Sequence, residues 1–502
     1  MPRVFRSIGP AIIVAAVVLG PGSILTSSQV GAELGYRGVP VIVGAVILMI
    51  GMVALSARIG AVYAGSPCDE LASRLSRPVA ALVGITVFVL IALFQSGNNI
   101  AVIAGLEPLF EGAHDPTLTV LTLRTKVSIL VAVNLLVIVC LFLMRDVYNR
   151  IEQLMRILIA VMVSAFLVNF VVVFSQPRDY QPVIPGGSEF DVIPLVGMIG
   201  TTLSLAGAFF QAYLVKEKGW GLEQTRDGLI DSAVSISVLG LITAMILVTA
   251  ARVFYGRPEA VELSSAGDMA LQLEPSFGTS AKVIFCLGIL AGALSSFLVN
   301  AMIGGTVLAD SLGKGSRLKD KWPLACTTLA LSVGMTVAIL SLWNEGSTVA
   351  LITLAQALTV FGIPALGLAL VYLGIRSRRE FVGERRIPLW IIALATLGVL
   401  VSCGLAYLTA TRVIERLQDS AHVKARSTWP ASTHAVPTSS AIAGALDRGL
   451  RLHPGHGWPL LSDQAVPEPA KADSKQARSL KLSEQQTETP EEPQLSRPLP
   501  CS

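Results

Sequence analysis

Apolar runs of helix length recur along the chain, separated by short polar segments. They predict eleven membrane spans at about residues 8–32, 38–62, 79–106, 126–145, 153–175, 192–215, 229–254, 280–309, 324–343, 348–374 and 388–411. Each is long enough to cross the hydrocarbon core as a helix. Two spans carry an interruption. In the first, Ile12–Leu19 runs into Gly20-Pro21-Gly22-Ser23 before Ile24 resumes the apolar pattern. In the sixth, Leu195–Ser204 is followed by the small-residue stretch Leu205-Ala206-Gly207-Ala208, where a second break is expected. A proline between two glycines removes a backbone donor and lowers the cost of non-helical dihedrals. Backbone groups freed in this way cannot face lipid, so they must line a cavity or meet another helix.

Spans one to five and six to ten form two sets of five, each opening on its interrupted helix. An odd number of spans per set places the two in opposite orientations. The predicted fold is therefore an all-α polytopic membrane protein of LeuT type: two inverted five-helix repeats with broken helices 1 and 6, plus an eleventh helix. The corresponding boundaries are about 8–175, 192–374 and 388–411 within a transporter domain of 1–411. Residues 412–502 are rich in Pro, Ser, Gln, Glu and Ala without apolar periodicity, and are expected to form a disordered tail.

Composition agrees with this pattern. Of 502 residues, 53% are hydrophobic and only 14% charged, and the mean hydropathy is +0.66. The net charge of +4 does not point to nucleic acid, because the basic residues sit in short loops between spans. Lys and Arg concentrate in alternate loops, most densely at Arg376, Arg378, Arg379, Arg385 and Arg386. That bias places the N-terminus in the cytoplasm of a bacterial-type inner or plasma membrane, with the tail outside. The six cysteines are scattered without a CxxC pair and read as apolar fillers. His422, His434, His453 and His456 lie in the tail, and their spacing fits no ligand motif.

The stretch Gly9-Pro10-Ala11 through Gly20-Pro21-Gly22-Ser23, Thr26, Gly31-Ala32 and Gly35-Tyr36 resembles the first helix of Nramp divalent-metal transporters. So do Ala57-Arg58-Ile59-Gly60, Gly200-Thr201-Thr202, Asp231-Ser232, Gly288-Ile289-Leu290-Ala291 with Ser295-Ser296, and Gln356 with Pro364, in their respective spans. The resemblance covers about residues 5–410 and not the tail. It implies substrate-binding positions at Gly20, Ser23, Thr201 (through its carbonyl), Ser204 and Gln356. Gln95, Asn98, Gln211 and Glu33 are candidate pathway residues, and no metal ligand set is assigned. The family carries Asp and Asn at the first break and Met then His at the second. Gly20 and Ser23, and Ser204 and Ala206, stand there in this chain. Family acids of the third helix correspond to Gln95 and Asn98, and one family Gln of span ten to Gly362.

The scaffold is thus kept while its charged and soft groups are replaced by neutral ones. Hydroxyls and carbonyls compensate two positive charges poorly at low dielectric. The expected substrate is a divalent cation of Mg2+ or Mn2+ type that keeps part of its water. Alternatives are a small neutral or anionic solute, drawn to half-helix N-termini, and a sensor-like relative that transports nothing. No enzyme motif occurs in a plausible context, and no cofactor is expected. Asp191 and Asp231 read as helix-start residues, and Asp310 lies near a helix end. Glu33 could draw cations to the outer mouth.

Overall fold

A computed structural model describes residues 9–110, 121–144, 146–177, 192–257, 263, 267, 270, 277–343 and 345–427; of 192–193, 345–361, 363 and 412–427 it describes the backbone only. Asp191 and residues 428–502 lie outside the described residues.

The first span is two helices, α1 (Pro10–Val18) and α2 (Pro21–Leu34), parted at Leu19 and Gly20. Gly20 is extended (φ −83°, ψ 173°), and Pro21 opens α2 at a position where a missing N–H costs nothing. The break is therefore tighter than the sequence suggests, and Ser23 lies within the first turn of α2. Next come α3 (Val39–Val62), the short α4 (Pro67–Arg74), α5 (Arg77–Phe110), α6 (Leu123–Leu143) and α7 (Val147–Ser175).

The second set opens with α8 (Val192–Thr202) and α9 (Leu205–Glu217). Its break falls at Leu203–Ser204, not over 205–208 as expected. The Ser204 side chain accepts the Gly207 N–H at 3.3 Å, which lets α9 start at Leu205 and absorbs the small residues into its first turn. Then follow α10 (Thr225–Phe254), α11 (Thr279–Ser311), α12 (Lys321–Trp343) and α13 (Glu345–Glu380). The last helix, α14 (Leu389–Ser427), continues past the expected end at 411, so the region called tail begins with helix.

Nine stretches among the described residues are long and apolar enough to cross a membrane. The eleven expected spans reduce to nine for two reasons. A 3-10 turn at Gly35–Gly38 joins α2 to α3 in one stretch, Pro21–Val62. Most side chains of α13 lie outside the description.

Burial follows the layers. Ala11, Ile13, Val14, Ala15 and Ala16 of α1 are fully buried, as befits a helix apolar all round. On α6, by contrast, Leu135, Leu136, Val139, Phe142 and Leu143 are exposed. In water such a patch would be a liability; in a bilayer it is the lipid face. Where α2 meets α10, a Cβ on Gly31 would stand 2.3 Å from the Leu247 carbonyl oxygen, so only glycine lets the backbones approach this closely.

Candidate transport site

The two breaks meet. Gly20, Pro21, Gly22 and Ser23 share a cavity of about 420 Å3 with Thr201, Leu203, Ser204 and Ala206. Further walls come from Asn98 on α5, Ser296 and Asn300 on α11, and Ser402 and Thr409 on α14. Among the described residues its lining holds no Asp, Glu, His, Lys or Arg.

The sequence-predicted residues divide around this cavity. Gly20, Ser23, Thr201 and Ser204 lie in the lining, as does Asn98. Gln95 does not: its Nε2 donates to the Phe297 carbonyl at 2.7 Å, and its Oε1 accepts the Asn98 amide at 3.1 Å. Its own carbonyl accepts Asn99, whose Oδ1 accepts Asn134 of α6 at 2.7 Å. This chain of amides binds α5, α6 and α11 to one another, the role polar side chains commonly take between membrane helices. Gln211 is fully buried on α9, with neither side-chain atom partnered among the described residues. It sits one helical turn beyond Gly207, whose Cα faces Val14 and Val17 of α1. Glu33 is exposed at the end of α2, away from the lining. Gln356 is on the α13 backbone, but its side chain lies outside the described residues.

Two buried carboxylates hold helix ends, and one departs from expectation. Asp231 does not open a helix, because α10 already begins at Thr225. It accepts the backbone N–H groups of Gly9 and Ala11, each at 2.8 Å, and Ser235 donates to it from one turn on. It thereby caps the N-terminus of α1 from another helix, satisfying donors that α1 cannot. Asp310, at the end of α11, accepts the Cys68 N–H at 3.0 Å, the Ser66 hydroxyl and the Tyr213 hydroxyl at 2.7 Å. It ties the start of α4 to α9. Nearby, Lys218 pairs with Glu152 at 2.7 Å, and Lys216 donates to the carbonyls of Tyr63 and Ala64. Tyr63, Ser66, Tyr213, Lys216 and Lys218, which take part in these links, also border a second cavity, of about 900 Å3.

The sequence reading gave no role to Ser296, Asn300, Ser402 or Thr409. The first pair stands at i, i+4 and the second at i, i+7, so each pair shares one helix face. That signal was available in spans eight and eleven.

Paired interrupted helices around a shared central cavity, in a bundle of membrane-length helices, define a polytopic membrane transporter of LeuT type, not an enzyme. The chain belongs to the Nramp family: the profile of the natural resistance-associated macrophage protein-like family matches residues 11–411. A divalent metal cation transporter MntH of Verminephrobacter eiseniae is 24% identical over 81% of this chain and 88% of its own length. One from Nostoc is 27% identical, over 54% of this chain and 62% of that relative. Among solved structures, the manganese transporter of Eremococcus coleocola, in complex with an aromatic bis-isothiourea substituted compound, superposes with a TM-score of 0.64. It shares 19% identity over 82% of this chain and 87% of that one, a likeness of fold.

Proposed function

We propose that this protein is a secondary transporter that carries a divalent metal cation through the cavity between its two broken helices. Family membership and the names of its relatives support the metal. The observation that carries the reading is the meeting of Gly20–Ser23 with Thr201–Ser204 around one cavity with no charged lining residue among the described residues. The groups on offer are carbonyls, the Ser23, Thr201 and Ser204 hydroxyls and the Asn98 and Asn300 amides. Such a set cannot replace the full hydration shell of a doubly charged ion without a large electrostatic cost. The ion therefore binds weakly and keeps part of its water, as Mg2+ prefers, while thiophilic ions gain nothing from a cavity without sulfur.

The lining comes from α1, α2, α5, α8, α9, α11 and α14. The test is uptake into liposomes holding the full chain. Saturable entry of Mg2+ or Mn2+ is the expected result. A neutral or anionic solute entering in place of either ion overturns the metal reading. Ion entry no faster than into protein-free liposomes overturns transport itself and favours a sensor-like role.

A further inference from the structure

The second cavity lies against the start of α7, whose first turn, Asp146 to Asn149, forms one wall. The first N–H groups of a helix find no acceptor within it. Asp146 stands at the cap position of α7 without making the cap hydrogen bond; its carboxylate accepts the Asn149 side-chain amide at 2.6 Å instead. Tyr148 lines the cavity and is only 5% exposed, yet its hydroxyl has no hydrogen-bond partner among the described residues. Glu152 lies near that hydroxyl but is committed to Lys218 and Arg156. Lys218 Nζ stands 5.9 Å from the centre of the Tyr148 ring, which helps to hold the ring in place. A buried hydroxyl left without a partner costs free energy that a ligand recovers. The charge of the lining is also unbalanced. Lys216, Lys218, Arg317 and Lys319 border the cavity against Asp146 and Glu217. Glu217 accepts the Leu318 N–H at 2.7 Å, which ties the loop carrying Arg317 and Lys319 to the end of α9. Lys216 spends two protons on the Tyr63 and Ala64 carbonyls. Lys216, Arg317 and Lys319 have no ion-pair partner among the described residues.

We propose that this cavity is a binding site for a small phosphate-bearing anion. The phosphate sits at the start of α7, where its oxygens accept the freed N–H groups and the Tyr148 hydroxyl, and where the positive pole of the helix dipole favours negative charge. Lys216 adds its remaining proton, and Arg317 and Lys319 close over the anion from the exposed rim. A tetrahedral group with several oxygens matches donors that arrive from a helix end, a hydroxyl, an ammonium and a guanidinium. The volume of about 900 Å3 leaves room for more than one phosphate or for a substituent on it. A bound anion links α7, α9 and the loop between α11 and α12. Trp220 borders the same cavity and lies against the start of α1, where a Cβ on Gly9 would stand 3.0 Å from its ring. The anion therefore stabilises the arrangement in which Asp231 caps α1, and acts as a regulator of helix movement. The site stands whether or not the cavity between the broken helices carries a divalent metal.

Purified full-length protein in detergent with EDTA is melted in sodium pyrophosphate and in sodium chloride at equal ionic strength. The expected result is a saturable rise in Tm with pyrophosphate and none with chloride. Arg317→Gln/Lys319→Gln changes two exposed side chains and should move the pyrophosphate midpoint up by about tenfold or more, since each removes a charge-assisted contact. Tyr148→Phe keeps the ring and removes one hydroxyl, and should move the midpoint by about threefold or more. A second arm replaces pyrophosphate with dihexanoyl phosphatidylglycerol below its micellar concentration. A rise with this lipid and not with pyrophosphate, weakened in the double variant, assigns the phosphate to a lipid headgroup; a rise with pyrophosphate assigns it to a soluble anion. Equal melting of the parent protein in pyrophosphate, in the lipid and in chloride overturns the site. An unchanged midpoint in Arg317→Gln/Lys319→Gln overturns its location, and an unchanged midpoint in Tyr148→Phe overturns the placement of the phosphate at the start of α7.

Discussion

The Asp231 cap on α1 gives a quantitative handle on how the transporter opens. Asp231→Ala removes the acceptor for the N–H groups of Gly9 and Ala11, both at 2.8 Å and buried. Hydrogen bonds to a charged acceptor contribute about 1.5–3 kcal/mol each, so the pair contributes about 3–6 kcal/mol to the closed position of α1. Once α1 swings away, water satisfies both donors, so the lower end of that range is the fair measure. About 3 kcal/mol corresponds to a shift of roughly 100-fold between closed and open populations. Asp231→Asn keeps one acceptor oxygen, and about tenfold is expected. The assay is alkylation of the thiol introduced by Ile13→Cys, followed by peptide mass spectrometry so that native cysteines do not interfere. Ile13 is fully buried in α1, so labelling reports its release. The ordering Ala faster than Asn faster than parent is expected in monodisperse protein. If Ile13→Cys labels no faster with Asp231→Ala than without it, the carboxylate does not hold α1 shut.

Three further outcomes follow from particular contacts. Gly20→Asp, the simplest way to return a carboxylate to the cavity, puts its Cβ 2.6 Å from Ser296 Oγ. The single variant should therefore melt lower, whereas Gly20→Asp/Ser296→Gly should gain about tenfold or more in Mn2+ affinity by calorimetry, ligand charge being the main determinant of affinity in such oxygen sites. Gln211→Leu relieves a buried amide without partners among the described residues; by removing about 1–3 kcal/mol of desolvation cost it should raise Tm and, by favouring the closed state, slow uptake. Burial, with the Asp310 carboxylate beside it, pushes the Cys68 thiol well above the ordinary thiol range. Because the thiolate is the reacting form, Cys68 should resist alkylation at pH 8 in folded protein and react only on denaturation.

Much of the architecture was legible because membrane burial leaves few options. Apolar runs fix where helices lie, and Gly20-Pro21-Gly22 marks a break by the chemistry of proline alone. The second break was placed two residues late, since a run of small residues permits a break without locating it. What locates it is the Ser204 side chain capping Gly207, a local competition between serine and helix that sequence shows only as a residue type. Asp231 was misread for a related reason. An acid near the start of a span suits its own helix dipole, and nothing in the sequence says that the N-terminus of α1 lies beside it instead. Gln95 and Asn98, three residues apart and alike in chemistry, separate only in three dimensions. The first turns to α11 and the second to the cavity.

The placement of charge ties these observations to mechanism. Two buried carboxylates that touch the broken helices, Asp231 and Asp310, cap helix N-termini contributed by other parts of the chain. Neither lines the cavity. Their negative charge is committed to the positive ends of α1 and α4, where it stabilises one arrangement of rigid helices and falls away in strength over a short distance. Under the proposed function a cation in the cavity meets, among the described lining residues, hydroxyls, amides and carbonyls, and its charge is met by dipoles and retained water. A ligand can shift a conformational equilibrium only by its difference in affinity between the two states. A weakly held, hydrated ion, as the proposed function has it, offers little such difference. Directional movement then needs a second driving partner that distinguishes the states.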